Sequence, residues 1–182
     1  MSGKVGDERP RDAGLEACAT GSCPFCRPAT WRFLLPGLAI ALLDQATKWL
    51  VVRHMGLGDS LPVLGPVMSL TRASNTGAFF GLFSSATAIL TAVGVVLALA
   101  VIVWGCRAAT RQPELVPALA LILGGALGNL ADRLTRSHVV DFLDFHFWPV
   151  FNVADIALTV GVFLAAWRLL RTGPTAAPTE SR

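Results

Sequence analysis

Residues Gly124 to Asp155 read GGALGNLADRLTRSHVVDFLDFHFWPVFNVAD. The stretch leaves one apolar segment, crosses a short connection carrying Asp132, Asp141 and Asp144, and enters the next apolar segment with Asn152 and Asp155. Carboxylates, amides and guanidinium groups beside hydrocarbon-length segments lose hydration, so a fold keeps them there only where they pair with one another or do chemistry. The placement suggests that Asp141 and Asp155 are brought together at a membrane surface as an acid/base pair.

The chain around this stretch has the composition of an integral membrane protein. Of its 182 residues 53% are apolar and only 15% charged, with a mean hydropathy of +0.58, whereas about a quarter of residues are charged in ordinary soluble domains. The net charge of +3 is scattered, with no basic face and no aromatic stacking pattern, so nothing marks a nucleic-acid binder. Four segments reach the roughly 20 residues, at about 1.5 Å each, that cross a bilayer. They run about Phe33 to Val52, Ser84 to Cys106, Leu115 to Ala131 and Phe151 to Leu170. Pro36 is expected in the first turn of the first span, where a missing N–H is tolerated. Four spans put both termini on one side. The Lys and Arg of the N-terminal region, of the Arg107 to Glu114 loop and of the tail from Arg168 assign that side to the cytoplasm. Asp44, Asp59, Asp132, Asp141, Asp144 and Asp155 then fall toward the outer face.

Residues 1–30, rich in Gly, Pro, Ser and charges of both signs, read as a disordered cytoplasmic extension, and residues 172–182 as a disordered cytoplasmic tail. The long polar region ahead of the first span, and the spans that follow it, argue against a cleaved signal peptide. The membrane domain occupies residues 31–171. Between its first two spans, Arg53 to Phe83 is punctuated by Gly56, Gly58, Pro62, Gly65 and Pro66; the runs within LPVLGPVMSLTRASNTGAFFG fit a small β element lying on the membrane. His146, Phe147, Trp148 and Pro149 suit an interfacial outer loop or short helix. The expected fold is an all-α integral membrane protein of four transmembrane helices with a small extracytoplasmic β element. Cys18, Cys23 and Cys26 have a C-x4-C-x2-C spacing that could supply three metal ligands, but no fourth ligand is near. They read as reduced thiols in the extension, and Cys106 as a small membrane-face residue; no metal site is expected.

Several residues could carry chemistry or only structure. Asp44 and Lys48 stand four apart on one helical face, with Asp44 roughly 13 Å below Arg53 in the first span. They form either a neutralising ion pair or a pair that also orients substrate or loop backbone. Asn75, before Thr76 and Gly77, is a turn residue or a ligand contact. Gly124 and Gly128 make a G-x-x-x-G pattern that lets helices approach closely in a membrane. Asn129, Asp132 and Arg133 share a helix face; they read either as an Asp132–Arg133 structural cluster or as donors from Asn129 and Arg133 to peptide carbonyls. Asn152 and Asp155 have the spacing of a capping box. Against that stands Asp141 just upstream, close enough in sequence to fold back beside Asp155. Two adjacent carboxyls share one proton, so one serves as base on a water while the other polarises a carbonyl.

Taken together, LLDQATKWLV, TRASNTGAFFG, GGALGNLADRLTRSHVVDFLDF and FNVAD resemble, in wording and order, the prolipoprotein signal peptidases, signal peptidase II. The resemblance covers roughly Phe33 to Leu170. Ser137 stands where the family usually has Gly. The resemblance implies a four-helix aspartyl endopeptidase of the bacterial inner membrane, with cytoplasmic termini and its site near the outer leaflet; a monomer is the expected state. It would cleave diacylglyceryl-modified prolipoproteins before the lipidated cysteine, without metal, nucleotide or other cofactor. It places the catalytic pair on Asp141 and Asp155 and supporting roles on Asp44, Lys48, Asn75, Gly124, Gly128, Asn129, Asp132, Arg133 and Asn152. A lipidated substrate diffuses in the bilayer, so a site flanked by apolar helices can take its acyl chains laterally. Two other classes use the same carboxylates differently: a proton-coupled transporter with relay sites, and a scaffold whose acidic loops bind a partner. The absence of an internal repeat counts against a transporter of duplicated halves.

Overall fold

The computed structural model describes residues 28–77 and 86–171. The extension with Cys18, Cys23 and Cys26, residues 78–85 with the AFFG end of TRASNTGAFFG and the expected start of the second span, and the tail after Arg171 lie outside the described residues. Helix α1 runs Pro28–His54, β1 Ser60–Pro62, β2 Ser69–Asn75 and α2 Ala86–Arg111. A 3-10 turn at Pro113–Leu115 leads into α3, Val116–Arg136, followed by β3, Val139–Asp144, and α4, Val153–Arg171. All four α-helices are long and apolar enough to cross a membrane.

Each helix outruns its expected C-terminal limit, because charged residues such as Arg107, Arg111, Asp132 and Arg136 end an apolar run without ending the backbone hydrogen bonding. One expectation is overturned by this. Helix α1 starts five residues earlier than its apolar run, so Pro36 sits in the helix interior and Pro28 takes the first position, where no donor is lost.

Helix α3 is central. It packs against the other three helices, and most of it is buried, while α1, α2 and α4 turn the larger part of their surface outward. That outward surface carries Leu35, Leu38, Leu42, Val96, Leu99, Val160 and Phe163, an apolar belt suited to lipid. Glycine makes the central packing possible. A Cβ on Gly124 would stand 2.7 Å from the Gly37 carbonyl oxygen and 2.6 Å from the Ile40 Cβ on α1. A Cβ on Gly128 would stand 2.6 Å from Asp44 Oδ2. The G-x-x-x-G face is therefore the seam against α1.

The three strands form one antiparallel sheet in the order β1-β2-β3. β3 comes from the connection expected to be only an outer loop or short helix, so the sheet joins the two outer connections. Ala73 pairs with Asp141 and Asn75 with Val139, after a register irregularity between Leu70 and Ala73. This puts Asn75 and Asp141 diagonally across one face. Val140 and Phe142 pack with Val51 of α1, seating the sheet on the bundle end. Past β3 the chain bulges out and returns, closed by backbone bonds between Leu143 and Phe151.

Candidate active site

The polar residues read from the sequence gather at one end of the bundle, around the C-terminal halves of α1 and α3 and the N-terminus of α4. The Lys48 ammonium is wholly buried and lies 2.8 Å from Asp44 Oδ2, 2.9 Å from Asp132 Oδ2 and 3.0 Å from Asn129 Oδ1. The expected Asp44–Lys48 pair is formed, and it is widened by an acid from α3. The remaining Asp44 oxygen, Oδ1, accepts the Ala154 N–H at 2.9 Å and so caps α4. Asp132 Oδ2 also accepts the Val140 N–H at 3.1 Å, which fixes the start of β3.

The Asp132–Arg133 cluster is a correction. Asp132 Oδ1 pairs with Arg136, and Arg133 Nη1 reaches the Asn129 carbonyl oxygen at 3.3 Å. Successive residues on a helix diverge by roughly 100°, whereas the i,i+4 partner Arg136 lies directly over Asp132. Arg133 stays half-buried beside the site.

Two asparagines connect the carboxyls of Asp141 and Asp155. Asn152 Nδ2 donates to Asp141 Oδ1 at 2.6 Å and to Asn129 Oδ1 at 3.2 Å. Asn129 Nδ2 donates to Asp155 Oδ1 at 2.8 Å. The Asn152 backbone N–H meets Asp155 Oδ2 at 3.2 Å, and the Asp155 N–H meets Asn152 Oδ1 at 3.0 Å. That reciprocal pair is a capping box, so Asp155 closes the helix end with one oxygen while the other faces Asn129. From the sheet, Asn75 Nδ2 donates to Asp141 Oδ2 at 3.0 Å, and its own Oδ1 accepts the Gly77 N–H at 2.9 Å. Asn75 is thus a turn residue and a site contact at once.

Burial pushes the Asp141 carboxyl up to about 6, against hydrogen bonds from Asn75 and Asn152 that favour its charged form. The negative charge of Asp155 pushes the same way, and Lys48 opposes it. Among the described residues no group of three or more His, Cys, Asp or Glu stands where it could share a metal ion. Each buried side-chain nitrogen and oxygen among them has a hydrogen-bond partner. This arrangement holds two carboxyls, with neutral amide donors between them, where a water and a peptide carbonyl could be activated together.

Residues 37–171 match the family described as Signal peptidase (SPase) II. The chain belongs to the signal peptidase II family. It is accordingly an aspartic peptidase, with the multi-pass architecture of a bacterial inner-membrane protein. A relative from Pelotomaculum thermopropionicum named lipoprotein signal peptidase is 45% identical over 151 residues, covering 82% of this chain and 99% of its own length. One of the same name from Moorella thermoacetica is 43% identical, covering 76% and 92%. Two solved structures described as bacterial membrane enzymes, determined in meso at 2.3 Å and 1.9 Å resolution, superpose with TM-scores of 0.71 each. Their identities are 30% and 31%, and they cover 81% and 76% of this chain and 93% and 92% of their own.

This signal peptidase II holds further polar contacts that sequence reasoning passed over. Gln45 Nε2 reaches the Gly128 carbonyl oxygen at 3.0 Å and Asp132 Oδ1 at 3.1 Å, tying α1 to α3. The membrane-depth argument applied to Asp44 applies equally to its neighbour and could have found it. Arg136 was detectable as the i+4 partner of Asp132. Arg72 Nη1, which caps the end of α1 through the Met55 carbonyl oxygen at 2.6 Å, left no such signal, since its partner depends on the path of the sheet.

Proposed function

We propose that this signal peptidase II removes signal peptides from diacylglyceryl-modified prolipoproteins, cutting before the lipidated cysteine with a water activated by Asp141 and Asp155. The observation that carries this reading is Asn152, which bonds Asp141 through its side chain and Asp155 through its backbone and so links the two carboxyls through one residue. The names of the relatives support the substrate class.

In the proposed reaction the pair holds one proton between two groups. The ionised member takes a proton from water as its oxygen attacks the scissile carbonyl carbon, and the protonated member donates to the carbonyl oxygen. Collapse of the tetrahedral intermediate breaks the C–N bond, and the proton taken from water passes to the departing amine of the lipidated cysteine. Asn129 and Asn152 fix the carboxyls, Asn75 holds the outer oxygen of Asp141, and Asp44, Lys48 and Asp132 hold the three helix ends that carry them. Helix ends and positive residues further support cytoplasmic termini with the site at the outer leaflet.

Asp141→Asn and Asp155→Asn, each assayed with a lipidated precursor, are expected to lose cleavage by about 10⁴-fold or more. Asn at 155 retains an oxygen for the Asn152 N–H, so a folded but inactive variant is the expected result. Full activity in either variant would remove that residue from the chemistry.

A further inference from the structure

Only Ser137 and His138 separate α3 from β3, and the carboxylate of Asp132 brackets that turn. Its Oδ2 is on the strand side, where it accepts the Val140 N–H at 3.1 Å and meets the Lys48 ammonium at 2.9 Å. Its Oδ1 is on the helix side, where it takes the Arg136 guanidinium and, at 3.1 Å, the Gln45 side-chain amide. Gln45 Oε1 in turn lies 3.4 Å from Arg136 Nη1. With two donors on Oδ1, the carboxylate cannot rotate without losing both, so Oδ2 stays on Val140. Val140 is the residue before Asp141.

The charges of this cluster balance only with Arg136. Asp44, Lys48 and Asp132 are wholly buried, and the one ammonium among them faces two carboxylates. Arg136 supplies the second cation from a side chain that is 28% exposed. Its neighbour Arg133 bonds a backbone carbonyl and makes no ion pair among the described residues, so it does not stand in. An exposed Asp–Arg pair would contribute little. Here the acid is withdrawn from water and the cation reaches it from the bundle rim, so losing the cation leaves a buried negative charge uncompensated. That charge would be felt at Asp141, whose charged neighbours are Asp155 of α4 and Lys48 of α1, while Asn75 of β2 and Asn152 meet it with neutral amides.

We propose that Arg136 is a positioning residue for the reaction: it fixes the orientation of Asp132, which holds Val140 and so the start of β3 that carries Asp141, and its charge completes the neutrality of the cluster behind the site. The inference rests on the proposed chemistry of Asp141 and Asp155.

The test uses the full-length enzyme in nanodiscs with a lipidated precursor. Arg136→Gln should lower kcat by about tenfold, inside the loss of up to about 100-fold that a roughly 1 Å misplacement of a reacting group causes, with KM nearly unchanged. It should also move the alkaline limb of kcat/KM to higher pH, because an uncompensated negative charge nearby favours the protonated form of Asp141. Arg136→Lys keeps the cation and should recover most of the rate and the original limb. Gln45→Met removes the other donor on Oδ1 without changing the charge, and should lower kcat while leaving the limb in place. Amide exchange at Val140 should quicken in Arg136→Gln and in Gln45→Met while the amides of α2 stay protected, a reading that needs no turnover. Wild-type kcat with an unmoved limb in Arg136→Gln, an unchanged exchange rate at Val140, or a loss that Arg136→Lys does not recover would overturn the proposal. If Val140 exchange quickens as expected but Asp141→Asn cleaves at the wild-type rate, Arg136 holds the strand and the assignment of Asp141 to the chemistry fails.

Discussion

Lys48 has two carboxylates within 2.9 Å and no contact with solvent, so its charge is neutralised by residues that are themselves buried. Replacing it with Met would leave buried Asp44 without a cation and Asp132 with Arg136 alone. The expected loss is about 3–5 kcal/mol, the usual consequence of removing one partner from a buried ionic cluster, measurable as a lower denaturation midpoint in detergent. Asp141 gives a prediction in pH. Its proton is held up to about 6, so the alkaline limb of kcat/KM in the free enzyme should fall near there. Asn75→Ala removes a hydrogen bond that favours the charged form, and should therefore move that limb to higher pH. The same shift bears on folding: a carboxyl raised from 3.8 contributes stability that is full below 3.8 and is lost as pH rises through about 6. The acidic residues and asparagines of the site could all be picked out one by one, because each breaks an apolar run. Their pairing could not: Lys48 meets Asp132 from another helix, and Asp155 both caps α4 and accepts a hydrogen bond from Asn129, contacts that spacing alone did not join.

Among the elements, the four helices were readable because each apolar run is long enough to dictate its own state in lipid. β3 was not. VVDFLD is buried along its first four residues, so it shows no alternation of apolar and polar faces, and it becomes a strand only by pairing with β2. The irregular register between Leu70 and Ala73 is equally a product of that pairing. The end of α3 is a more local matter. Ser137 adopts φ 62° and its N–H bonds the Arg133 carbonyl oxygen at 3.1 Å, a left-handed cap that glycine takes without steric strain. Ser137→Gly should stabilise the protein by about 1 kcal/mol, seen as a higher melting temperature with cleavage retained.

For the molecule as a whole, the distribution of charge is a statement about orientation. The end of the bundle with Arg107 and Arg111 is opposite the end with Asp141 and Asp155, and the positive end is expected to face the cytoplasm. In a background with Cys18, Cys23, Cys26 and Cys106 replaced, Ser60→Cys should react with an impermeant maleimide added outside intact spheroplasts. Gln112→Cys should react only after lysis. Both side chains sit on exposed positions, so a reversed pattern would be a reversed topology and not a failure of access.

The contact between Asp44 and α4 also bears on how the protein is made. Synthesis delivers α1 to the bilayer before α3 and α4 exist, yet α1 carries two ionisable groups at membrane depth. Because Asp44 and Lys48 are one turn apart and bond each other at 2.8 Å, the helix can enter as a neutral pair without waiting for partners. Asp132 and Asn129 arrive with α3 and share the ammonium. In the folded protein the last helix docks its Ala154 amide onto the Asp44 oxygen that Lys48 leaves open. One carboxylate thus ties the first helix both to itself and to the last.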